Sequence, residues 1–162
     1  MGKFMQKFAS GRSSFSRSAP FVAVLLLAYA GLSHAALGGL PEQFDAEGNT
    51  AVSSVSTTMP NYVVRDTTLA TGTHVREYIA ADGIVFAVAW DGPVPPDLKA
   101  LLGKYFDTMT AQSKGMPMAG RSHIDVDLPE VVIHAGGHMR AFEGSAWIPA
   151  QLPAGFSADD VR

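Results

Sequence analysis

The stretch "AADGIVFAVAW", Ala80 to Trp90, decides the fold. Asp82-Gly83 is a strong two-residue hairpin signal, because both loop positions favour residues that accept positive φ. Closing the chain there pairs Ala81 with Ile84, Ile79 with Phe86 and Val75 with Trp90. One face then carries Val75, Ile79, Ala81, Ile84, Phe86, Val88 and Trp90, with Glu77 as its exception. The other carries His74, Arg76, Tyr78, Ala80, Val85, Ala87 and Ala89. A one-residue slip destroys that segregation, so burial specifies the register.

Working outward, "ATG" (Ala70 to Gly72) reads as a three-residue loop with Gly72 left-handed, pairing Leu69 with Thr73. Arg65 then faces Glu77 and Asp66 faces Arg76. A two-residue loop would oppose Asp66 to Glu77, two like charges. Arg65 is therefore expected to neutralise the one charge on the apolar face.

After "DGPVPP", Pro95 and Pro96 suit a helix start and Asp97 its first turn. Leu98, Leu101, Leu102, Tyr105 and Met109 follow the helical period. Gly103 disfavours helix by roughly 1 kcal/mol relative to Ala and marks a break. The apolar stripe is expected to cover the Val75–Trp90 face. "SKGMPMAG" (Ser113 to Gly120) reads as a loop. Beyond it, Ile124, Val126 and Leu128 alternate with His123, Asp125 and Asp127, and Pro129 ends the ladder.

"IHAGGHMRAF" (Ile133 to Phe142) reads as a hairpin with two possible registers. A two-residue loop at Gly136-Gly137 pairs Ala135 with His138 and separates the histidines. A three-residue loop, Ala135 to Gly137, pairs His134 with His138 and segregates apolar residues better; it is preferred. Val131, Ile133, Met139 and Ala141 then share one face. Glu130, Val132, His134, His138, Arg140 and Phe142 share the other. The paired imidazoles would repel when both protonate.

The expected architecture is α+β: a small, mainly antiparallel sheet made of a three-stranded meander, one helix, then two or three further strands. The helix packs on one face. Residues 61–162 form this domain. Residues 36–60, rich in Gly, Ser and Thr, read as a flexible arm, with docking of "ALGGLP" as the alternative.

Residues 1–35 read as a signal peptide. Lys3, Lys7, Arg12 and Arg17 form a basic, acid-free leader before "FVAVLLLAYAGL" (Phe21 to Leu32) and "SHA", with cleavage between Ala35 and Ala36. Twelve apolar residues span about 18 Å as a helix, against roughly 30 Å of hydrocarbon. No stable membrane anchor is expected after cleavage, and the destination is periplasmic or secreted. The chain has 12 basic and 15 acidic residues, net −3. Losing the four leader cations leaves 8 basic and 15 acidic, net −7. That argues against a basic nucleic-acid footprint and against docking on anionic lipid. There is no cysteine, hence no disulfide, thiol chemistry or lipoprotein anchor.

Candidate chemistry is sparse. A metal would use His134 and His138, with His123, Asp125 and Asp127 as additional ligands, since zinc needs three protein ligands in a catalytic site and four in a structural one. No "GxSxG" elbow is present. Neither "LGG" nor "AGG" ends in the Lys-Ser/Thr of a phosphate loop, so no cofactor is expected. The resulting expectation is a non-enzymatic envelope domain binding a partner protein or small ligand, with His138 and Arg140 as a partner surface. The alternative is a metal-binding protein or metal-dependent enzyme built on His134 and His138.

Three stretches resemble an exported proteobacterial family, domain-of-unknown-function family 2844. They are "AALGG" (Ala35 to Gly39), "VREYIAADGIVFAVAWDGPVPPDLKALLGKYF" (Val75 to Phe106) and "GGHMRAFEGSAWIPAQLPAGFSADDVR" (Gly136 to Arg162). "VFAVAWDGP" and "GGHMRAF" carry most of its specificity. The resemblance implies export and a small α+β domain, and supplies no activity, cofactor or catalytic residue. The resemblance spans almost the entire mature chain, but Met109 to Leu128 shows no family pattern, so it lends no support to His123, Asp125 and Asp127.

Overall fold

The computed structural model describes residues 37–45, 49–115 and 123–162. The expected leader, 1–35, lies outside the described residues. Among the described residues, seven strands form a single sheet in the order β1-β2-β3-β4-β7-β6-β5. They are β1 (Ala51–Thr58), β2 (Tyr62–Leu69), β3 (His74–Ala80), β4 (Val85–Gly92), β5 (His123–Asp127), β6 (Val132–His138) and β7 (Ala141–Trp147). Every strand pair is antiparallel. Two helices, α1 (Leu98–Leu102) and α2 (Phe106–Gly115), connect β4 to β5. The sheet is thus larger than a three-stranded meander plus a few strands. Among the described residues no helix is long and apolar enough to cross a membrane.

The β2–β3 register is the expected one. Leu69 N–H donates to Thr73 O at 2.8 Å, Gly72 has φ 84°, and Arg65 opposes Glu77. The β3–β4 hairpin differs near its turn. Ala80 N–H donates to Ile84 O at 2.8 Å and Gly83 has φ 84°, so the loop holds three residues, Ala81 to Gly83. Only the glycine is left-handed there, and Asp82 is spared positive φ. Ile79 therefore faces Val85, not Phe86, and a register shift next to Tyr78 restores Val75 opposite Trp90.

That bulge redistributes the core. Val85, Val88 and Trp90 join Leu101, Leu102, Tyr105 and Met109 on the helix-covered front face. Phe86 and Ala87 instead join Tyr78, Val64 and Val161 on the back. Phe86 and Trp90 are both buried, but not on the expected common face. Phe156 closes the back cluster, with its ring edge-on to Phe86 at 5.0 Å.

Asp97 caps α1, its carboxylate accepting from Lys99 and Ala100 N–H at 3.0 Å. The helix breaks at Gly103 (φ 54°), as its position predicts. The stretch expected to be a loop from Ser113 begins as helix, since α2 runs to Gly115; residues 116–120 lie outside the described residues.

The segment expected to be a flexible arm is docked. Leu37 is buried; its N–H donates to Leu101 O, and Gly38 N–H donates to Val85 O at 2.8 Å. Val85 N–H donates to Gly39 O at 2.9 Å, so the segment fills the place beside β4 that β7 vacates after Trp147. Glu42 N–H donates to the buried Glu77 carboxylate at 2.8 Å. Residues 51–58 then form β1. The unpaired flank of β4 and the buried acid both need donors, and the segment supplies them.

Candidate functional site

On the back face of β4 to β7, polar side chains gather over a largely apolar floor. Register places Asp125, His134, Ser145 and Ala89 in one row across β5, β6, β7 and β4. The next row holds His123, Gly136, Glu143 and Asp91. Two adjoining grooves of about 420 and 510 Å³ lie over these rows and share Asp91, His123 and Glu143. His134, Ser145 and Arg162 line the first; His138 and Arg140 line the second.

His134 is the best-positioned polar side chain. Its Nδ1 lies 3.1 Å from Asp125 Oδ1. Its ring lies flat on the Trp147 indole, with centroids 5.4 Å apart and planes within 4°. Both members of the pair are half-exposed, so water screens the contact. Ser145 stands beside His134 without a hydrogen bond to it, and a serine hydroxyl is a weak nucleophile until a base contacts it.

Neither expected hairpin register at Gly136-Gly137 is the one adopted. β6 continues through both glycines, His138 opposes Ala141, and the turn is Met139-Arg140. Arg140 takes the left-handed conformation, φ 69°, the only described non-glycine residue to do so. Gly137 is required for another reason: a Cβ there would overlap Ala141 O and Phe142 Cα. His134 and His138 are therefore not cross-strand neighbours. They sit four residues apart on β6, about 13 Å at the usual strand rise, too far to share one ion. The expected acid repulsion between them loses its basis, since Asp125 is the residue facing His134.

Met139, expected on an apolar face, is 91% exposed at the tip. Asp127 opposes Val132 at the far end of β5, away from both grooves. Among the described residues no three His, Cys, Asp or Glu side chains gather closely enough to hold a metal.

Glu143, Ser145, Trp147 and Asp91 were not singled out from sequence. The signal was present: in "FEGSAW" (Phe142 to Trp147) polar or aromatic Glu143, Ser145 and Trp147 alternate with small Gly144 and Ala146. The small residues serve the front face, where a Cβ on Gly144 would overlap the Trp90 ring.

No curated protein and no solved structure matches the chain. The family described as "Protein of unknown function (DUF2844)" matches over residues 33–161, a range that spans Met109 to Leu128, and the chain belongs to that family.

Proposed function

We propose that the protein is an exported, non-enzymatic binding domain of the cell envelope that takes a small polar ligand, or a side chain of a partner protein, in the back-face groove. The observation carrying this reading is the pair of adjoining grooves that meet at Asp91, His123 and Glu143. Their volumes lie in the range of about 300–1,000 Å³ usual for small-ligand sites. Asp91 and Glu143 supply acceptors, while Arg140 and Arg162 supply donors. That mixture suits a ligand bearing both kinds of group. The flat His134–Trp147 stack offers a platform at the groove's side. Export is supported by the leader's order of basic, apolar and small residues.

The test compares the wild type with Ser145→Trp, which fills the first groove. Both are purified from the native envelope after crosslinking and examined by native mass spectrometry. A bound small molecule or crosslinked partner is expected on the wild type and absent from the variant at equal thermal stability. Equal occupancy of the two proteins, or none on either, would overturn the reading.

A further inference from the structure

The two edges of the sheet are built differently. β5 is five residues long and carries His123, Asp125 and Asp127. Charge on a short edge discourages a further strand. β1 has eight residues, no charged side chain, and exposure at seven positions. Val52 and Val55 on it are 64% and 62% exposed. A long, uncharged edge rich in Val, Ser and Thr is a template for strand addition.

The backbone shows which groups are on offer. Met59 N–H donates to Tyr62 O at 2.8 Å, and the β1–β2 register is regular from Ser53 to Thr58. Hydrogen-bonded and non-hydrogen-bonded pairs alternate in an antiparallel ladder. Thr57, Val55 and Ser53 therefore turn their amides towards β2. Thr58, Ser56 and Ser54 turn theirs outwards.

We infer that β1 pairs antiparallel with β1 of a second copy, about a two-fold axis through Val55, joining two sheets into one. A charged strand would be opposed by its own charges in such a pair; β1 has none. Opposed residues must share a face, and outward amides must meet outward amides. Centring on Val55 satisfies both: Ser54 meets Ser56 of the second copy, and Ser53 meets its Thr57. This register also sets Val55, the one apolar side chain between Ser53 and Thr58, against its own mate in a non-hydrogen-bonded pair, where side chains approach most closely.

The test is the oligomeric state of the full chain after leader removal, measured by sedimentation across a concentration series. The wild type is expected to form a dimer, and Val55→Lys to remain a monomer with the melting temperature of the wild type at dilutions where it is monomeric. Because the chain has no cysteine, single-cysteine variants report the register. Val55→Cys should form an intermolecular disulfide severalfold faster than Ser53→Cys or Thr57→Cys, which lie opposite each other rather than themselves. A wild type that stays monomeric throughout, a dimer that survives Val55→Lys, or equal crosslinking of the three cysteine variants would overturn the inference.

Discussion

Arg65 and Glu77 face each other across β2 and β3, and Arg65 Nε donates to Glu77 Oε2 at 2.6 Å. The acid is fully buried on the front face, and Arg65 also holds the main-chain carbonyl of Glu42. One ion pair thus joins the sheet to the amino-terminal segment. Removing one partner of a buried pair leaves an uncompensated charge, costing about 3–5 kcal/mol. Arg65→Ala is expected to lose that much in urea denaturation, and a loss below about 1 kcal/mol would show that water reaches Glu77.

The same carboxyl predicts a pH dependence. Burial raises the Glu77 pKa above the ordinary carboxylate range, while Arg65 and the Glu42 amide oppose the shift. A raised folded pKa means that the folded state holds its proton more tightly than the unfolded chain. The resulting stabilisation is complete below the unfolded value, near 4.3, and is lost as pH rises through the folded one. Wild type should therefore lose stability relative to Glu77→Gln as pH rises through that window. Denaturation midpoints of both proteins at pH 4 and pH 8 check this, with a constant difference as the contrary result.

Gly144 and Trp90 form a second coupled pair. A methyl on Gly144 would overlap the indole, and overpacking of this kind costs about 1–3 kcal/mol. Trp90→Ala should itself cost about 3–5 kcal/mol, the usual range for a buried aromatic. The part of the Gly144→Ala cost due to the indole should vanish in a Trp90→Ala background, while the close approach to the His134 carbonyl remains. A double-mutant cycle measures the coupling, and simple additivity would place the strain elsewhere.

At the β6–β7 tip, left-handed Arg140 carries a steric cost of roughly 1 kcal/mol that glycine does not. Arg140→Gly is expected to raise stability modestly, by up to that amount, in thermal unfolding. A fall in stability would show that the arginine side chain contributes more than its backbone costs.

The proposed leader makes a separate prediction. Intact-mass measurement of periplasmic material should show a protein beginning at Ala36. Retention of residues 1–35 would reject cleavage at that bond.

Much of the central sheet was legible because its mistakes would be costly. A shifted β2–β3 register opposes two acids, so the sequence has one acceptable pairing there. The helix and its break at Gly103 were equally plain, since period, cap and glycine agree. Two kinds of feature were hidden. The bulge at Phe86 leaves the far end of the β3–β4 register intact, so apolar segregation at Trp90 says nothing of it. The hairpin at Met139-Arg140 puts positive φ on an arginine and keeps the glycines in the strand, the reverse of ordinary turn preference. The groove followed that turn: once β6 runs through Gly136, His134 meets Asp125 and Ser145 instead of His138. Docking of the amino-terminal segment was legible only as the alternative reading of "ALGGLP", because its partners, Val85 and Glu77, lie far along the chain.

The strand order has a kinetic consequence. Among the described residues, five of the six strand pairings join neighbours in sequence and β4 with β7 does not. Short-range pairings close at little cost in chain entropy, whereas distant ones wait for the intervening chain to become compact. Two meanders, β1 to β4 and β5 to β7, are thus expected to nucleate separately, with the seam that lays Trp90 across Gly144 closing late. In stopped-flow refolding, substitutions at that seam should accelerate unfolding far more than they slow folding.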